Sequence, residues 1–164
     1  MSFPLSMMMK WYWWWEVNFS LLEPYTSAVS FSKDPSWINP PIWSNYIWSV
    51  VWNTLAPMWM IKMQQLITLS ENTIVDFTFS VDNSINLYID WINVYNFNDP
   101  DDTSNYATHK TLWYSLSKWT HRILCYWWNN WWPAWLALTI RRKSDNTLLL
   151  WTDNNWKITT NPSF

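Results

Sequence analysis

The sequence predicts an all-β chain, an antiparallel β-sandwich or jelly roll, and three observations carry that prediction. About ten short segments alternate apolar and polar residues with the period of two that a half-buried strand requires. Asn, Asp, Ser and Pro recur between them at intervals of roughly 8 to 12 residues, the spacing of turns in sandwiches and barrels. No extended amphipathic helical pattern competes, and no repeat occurs at a solenoid or propeller period.

Taken in order, residues 1–15 have no usable period and are expected to be a flexible arm, with 16–164 forming one sandwich domain. Val17, Phe19 and Leu21 alternate with polar neighbours and predict a strand over 16–22. Pro24, Pro35, Pro40 and Pro41 then forbid a helix and predict a long loop, with one short extended piece over 28–31. Strands are expected over 45–52 and 59–69, the latter with a helix over 58–68 as the alternative. The clearest strand is 72–80, where Val75, Phe77, Phe79 and Val81 share one side and Ile74, Asp76, Thr78 and Ser80 the other. A hairpin follows over 85–90 and 92–97, then a polar loop over 98–106, and a second strand pair over 109–116 and 120–126. Segments 135–142, 147–150 and 156–159 complete the set.

The tight turns carry an anomaly. The chain has no Gly and 19 Trp, where average usage would place about eleven Gly in a chain this long. Between Asp90 and Ile92, and between Lys118 and Thr120, a hairpin needs a residue that tolerates φ > 0, and both positions hold Trp. Trp is a poor turn residue. The reading that reconciles composition with pattern is that many Trp stand where the fold has Gly, through systematic replacement or misdecoding. A truly Trp-rich protein is the alternative. Backbone dihedrals at Trp91, Trp119, Trp131, Trp132 and Trp135 distinguish the two.

Composition bounds the function. A net charge of −2 with 13% charged residues leaves no basic face for nucleic acid; Arg141-Arg142-Lys143 reads as a solvated strand end. The single cysteine, Cys125, excludes an internal disulfide framework and sits in an alternating run as a small packed side chain. No apolar run is long enough for a membrane-spanning helix. The N-terminal residues lack the pattern of a secretory signal. The Asn/Ser/Thr-rich, weakly charged surface nevertheless suits an extracellular or virion location.

With Gly supplied at several Trp positions, four segments resemble motifs of one β-sandwich family. Asp82-Asn83-Ser84-Ile85-Asn86-Leu87-Tyr88-Ile89-Asp90-Trp91 resembles its "aDNs..lYvNG" hairpin, and Leu116-Ser117-Lys118-Trp119-Thr120-His121-Arg122-Ile123 its "l.pGtH.i". Asn129-Asn130-Trp131-Trp132-Pro133-Ala134-Trp135-Leu136 resembles "N.gGPAGL", and Thr152-Asp153-Asn154-Asn155-Trp156-Lys157 the closing "tD.sWk". In that order, over roughly 58–157, they are similar to galactose-binding-like domains, including those at the N-termini of rhamnosidases, and in part to the lectin-like domain named for anthrax protective antigen. Trp48 and Trp156 stand where the family itself has Trp. The resemblance implies a fold first, and then a non-enzymatic carbohydrate-recognition or attachment module; a structural virion or filament subunit is the alternative.

Sugar binding sets an aromatic face against a pyranose, with planar polar side chains alongside. Tyr88, Tyr95, Tyr106, Asn129 and Asn130 are the candidates near predicted loops, although strand aromatics more often pair across strands or pack in a core. The run from Trp127 to Trp132 coincides with the family's glycine-rich segment and is discounted as a stacking platform. Asp99, Asp101 and Asp102 offer the hard oxygens that Ca²⁺ selects, against the simpler reading of an exposed loop bonding its own backbone. No other cofactor is expected. His109 and His121 have no metal-ligand spacing, and no nucleophile motif is present. The expected partners are glycan or other copies of the chain.

Overall fold

The strand Thr73–Asp82 shows how the sequence becomes sheet. Val75, Phe77, Phe79 and Val81 are buried in the core, and Ile74, Asp76 and Thr78 alternate with them toward the outside, so one face is worth burying and the other is not. In a computed structural model the protein is described over residues 26–31, 39–48, 60–82, 84–97, 109–128 and 135–159. The expected arm over 1–15 and the strand over 16–22 lie outside these residues.

Twelve strands are described: β1 Thr26–Ser27, β2 Val29–Phe31, β3 Tyr46–Trp48, β4 Met60–Thr68, β5 Thr73–Asp82, β6 Ser84–Ile89, β7 Ile92–Phe97, β8 Lys110–Leu116, β9 Thr120–Trp128, β10 Trp135–Arg142, β11 Leu148–Trp151 and β12 Lys157–Thr159. They form two antiparallel sheets. Sheet I runs β1-β12-β4-β9-β6-β7, and sheet II runs β2-β3-β10-β5-β8 with β11 also paired to β10. The segment 60–68 is therefore strand and not the alternative helix, because it lies between β12 and β9 with Ile61, Met63 and Ile67 buried on one parity.

The core lies between the sheets. Ile61, Met63, Ile85, Leu87, Ile123, Cys125 and Trp127 of sheet I meet Val75, Phe77, Phe79, Leu136, Leu138 and Ile140 of sheet II. Each large apolar side chain so buried contributes about 1.5–3 kcal/mol. Burial also pushes the Cys125 thiol pKa up. The indole Nε1 of Trp127 donates to the Asp82 carbonyl at 2.9 Å, tying sheet I to sheet II.

The Trp-for-Gly expectation divides when the positions are inspected. Trp91 has φ 74 and Trp43 φ 75, the left-handed region that glycine favours. Trp119 and Trp135 are not among the described residues at positive φ. Two corrections follow. The segments on either side of Trp119 are not a strand pair: β8 belongs to sheet II and β9 to sheet I, so residues 117–119 cross between sheets and need no primed turn. Trp135 is a fully buried strand residue, its ring edge-on to Tyr46 at 4.5 Å. Trp127, discounted as part of a glycine-rich run, is likewise fully buried in the core. Trp131 and Trp132 lie outside the described residues, as does the side chain of Trp48.

The closing motif has a structural role. Thr152 is fully buried; its Oγ1 donates to the Asn45 carbonyl at 2.6 Å and accepts from Leu138 N at 3.1 Å. Its own N–H donates to Leu138 O, and its carbonyl accepts from Asn45 N. One threonine thus joins the approach to β3, the middle of β10 and the end of β11. Asp153 then accepts from Asn155 N, Asn154 Oδ1 accepts from Ser30 N, and Trp156 buries its ring while its Nε1 donates to Trp151 O at 2.8 Å.

Candidate functional site

Strand register places the candidate residues on different surfaces. Tyr95 stands opposite Leu87 and packs edge-on against Phe79 at 5.1 Å, on the core side, where burial raises its phenol pKa. Tyr88 points to the outer face of sheet I and meets Tyr126 edge-on, centroids 5.1 Å apart. Tyr106, Asn129, Asn130, Asp99, Asp101 and Asp102 lie outside the described residues. The strand ends that flank them, at Phe97, Lys110, Trp128 and Trp135, meet at the same end of the sandwich as Asp82. Among the described residues, no three His, Cys, Asp or Glu gather as metal ligands.

Around the Tyr88–Tyr126 pair the outer face of sheet I forms two rows. Thr159, Lys62, Tyr126, Asn86 and Asn96 stand abreast in one, and Lys157, Gln64, Leu124, Tyr88 and Asn93 in the next. Alternation explains the arrangement: each of these residues is one position away from a core residue of its strand. Lys62 Nζ lies 5.4 Å from the Tyr126 ring centroid, a cation–π distance. The amide oxygens of Gln64 and Asn86 are buried with no hydrogen-bond partner. Lys62, Leu124 and Thr159 of these rows are buried as well, whereas Asn93 and Asn96 are exposed, so the accessible part of the face lies toward β7. Sequence reading found Tyr88 and missed Tyr126. The missing signal was parity, since Tyr126 falls on the opposite side of β9 from Cys125 and on the same face as Tyr88.

At the other end of the sandwich Ser117, His121 and Asp90 come together. Nδ1 of His121 contacts Asp90 Oδ2, while Nε2 lies 2.9 Å from the Ser117 carbonyl and 3.3 Å from its Oγ. A carbonyl only accepts, so Nε2 carries the hydrogen and has no lone pair with which to take a proton from Ser117 Oγ. Asp90 Oδ1 also accepts from Arg122 N at 2.8 Å. The group is a tie between the β6–β7 turn and the sheet crossing, and this geometry does not activate a serine.

No protein-family model and no curated protein matches the sequence. Solved structures do share its fold. The chain is similar to an α-L-rhamnosidase of Streptomyces avermitilis, solved with L-rhamnose, at TM-score 0.66 and 14% identity over 87% of this chain. It is also similar to a lectin from Pleurotus ostreatus, solved with GalNAc, at TM-score 0.55 and 16% identity over 85% of this chain. The matched region spans 15% of the rhamnosidase chain and 43% of the lectin chain. With its two antiparallel sheets and these structural neighbours, the chain has a β-sandwich fold, the fold that its resemblance to galactose-binding-like domains implies.

Proposed function

We propose that the chain is a non-enzymatic carbohydrate-recognition module working at an extracellular or virion surface, with the outer face of sheet I as its sugar platform. The observation that carries this reading is the Tyr88–Tyr126 ring pair, with the exposed amides of Asn93 and Asn96 in the same two rows. Aromatic rings cover the apolar face of a pyranose, and the exposed Asn93 and Asn96 amides bond its hydroxyls. The two neighbours solved with L-rhamnose and GalNAc support the ligand class. Against an enzyme stands the occupied Nε2 of His121.

A glycan array followed by titration calorimetry with L-rhamnose and N-acetylgalactosamine tests the reading. Tyr126→Ala and Tyr88→Ala should each weaken binding tenfold or more with the melting transition intact, while Tyr88→Phe retains affinity. A blank array, or a Tyr88/Tyr126 double alanine variant that binds like the unaltered chain, overturns it. A structural virion or filament subunit is the second reading, and the edge of β8, without a strand partner among the described residues, is the feature that favours it.

A further inference from the structure

Among the described residues, the edge strands of the two sheets are not equally protected. β1 has two residues, β2 three and β11 four, with a register shift in its pairing to β10. β7 has six, but its pairing with β6 shifts register between Leu87 and Tyr88. β8 is different: all seven of its residues pair with β5 without a bulge, from Thr73 opposite Leu116 to Phe79 opposite Lys110, and among the described residues it ends sheet II. Native sheets blunt an edge with Pro, charge, a bulge or a covering segment, because an open row of N–H and C=O groups pairs with any extended chain that fits. β8 has no Pro, and its one charge is on its first residue, Lys110.

We infer that β8 pairs antiparallel with β8 of a second copy, about a two-fold axis through Trp113. The strand reads Lys110-Thr111-Leu112-Trp113-Tyr114-Ser115-Leu116, and its centre makes it self-complementary. Trp113 faces Trp113 of the partner subunit, Leu112 faces Tyr114 of the partner subunit, and Thr111 faces Ser115 of the partner subunit. These are aromatic, apolar and hydroxyl cross-strand pairs, each favourable across an antiparallel ladder. The exposures agree with this. Thr111, Trp113 and Ser115 are exposed, Trp113 at 64%, and Leu112 and Tyr114 are only partly covered on the core side. Lys143 stands over the Trp113 ring at 5.8 Å with Asp76 Oδ1 3.6 Å from its Nζ, so the cation near the axis has its own counter-charge.

A two-fold contact of this kind closes on itself and gives a dimer. One strand pair buries less than a standard stable interface, so the dimer is concentration-dependent. Sedimentation velocity of the full chain over a rising concentration series, without glycan, reads it. The unaltered chain should pass from monomer to dimer. Trp113→Lys and Trp113→Glu should each raise the dissociation constant tenfold or more with far-ultraviolet dichroism unchanged, and an equimolar mixture of the two should dimerise again as opposite charges meet on the axis. Trp113→Cys should give a covalent dimer on oxidation. A chain that stays monomeric throughout overturns the inference, as does a Trp113→Lys variant that dimerises like the unaltered chain or a mixture that remains monomeric. None of these outcomes depends on sugar binding.

Discussion

The turn at Asp90-Trp91 and the crossing at Lys118-Trp119 look alike in sequence and differ in the fold. Asp90 and Trp91 have φ 48 and 74, and Ile89 pairs with Ile92, so two left-handed residues close a two-residue hairpin. The Trp91 ring is exposed and lies against the Arg122 guanidinium at 5.4 Å. Trp119 instead leads from Leu116 in sheet II to Thr120 in sheet I. Its N–H donates to Ser117 O and its carbonyl accepts from Leu69 N, both at 3.0 Å. The comparison teaches that a turn residue marks where the chain reverses or bends. It does not reveal which sheet the chain enters next, because that is set by long-range burial.

The largest test of the comparison removes what joins the two regions. Asp90→Ala deletes the acceptor for Arg122 N and His121 Nδ1, and should lower stability by about 3 kcal/mol in urea unfolding. Ser117→Ala, which keeps the carbonyl that His121 uses, should change it by less than about 1 kcal/mol. Equal losses for both would show that the tie is not through Asp90.

A pH titration separates this end of the sandwich from the other. Burial pushes the Asp82 pKa up from 3.8 to about 7, so the folded chain holds a proton there that the unfolded chain releases. The associated stability is full below about pH 4, falls as pH rises toward 7, and levels off above it. The decline should be on the order of 4 kcal/mol, and Asp82→Asn should flatten it in thermal melts. A slope that survives Asp82→Asn would overturn the assignment.

The smallest and sharpest contrast is between the two indoles. Trp91→Gly relieves a left-handed backbone and should raise stability by about 1–2 kcal/mol. Trp119→Gly relieves nothing, since its φ is ordinary, and should be neutral or destabilising by up to about 1 kcal/mol. Gains at both positions would restore the uniform reading of Trp as a stand-in for Gly.

Much of the fold was legible because burial on one parity writes itself into β5, β6, β9 and β10. Val75, Phe77 and Phe79 need no partner to be identified as inward. The glycine argument was legible at Trp91, where a local turn demands a backbone state, and it failed at Trp127 and Trp135. There the interior has room for a ring, which no local pattern discloses. The candidate platform was half legible. Tyr88 drew notice as an aromatic near a turn, whereas its companion Tyr126 is brought alongside only when β9 inserts between β4 and β6.

Cys125 offers a practical consequence. It is the chain's one sulfhydryl, wholly enclosed between the sheets, and its surroundings oppose formation of the reactive thiolate. An alkylating reagent can reach it only when the two layers part, so its labelling rate is a built-in clock for global opening. Surface chemistry directed at newly introduced cysteines can then proceed on the folded protein without masking the natural one.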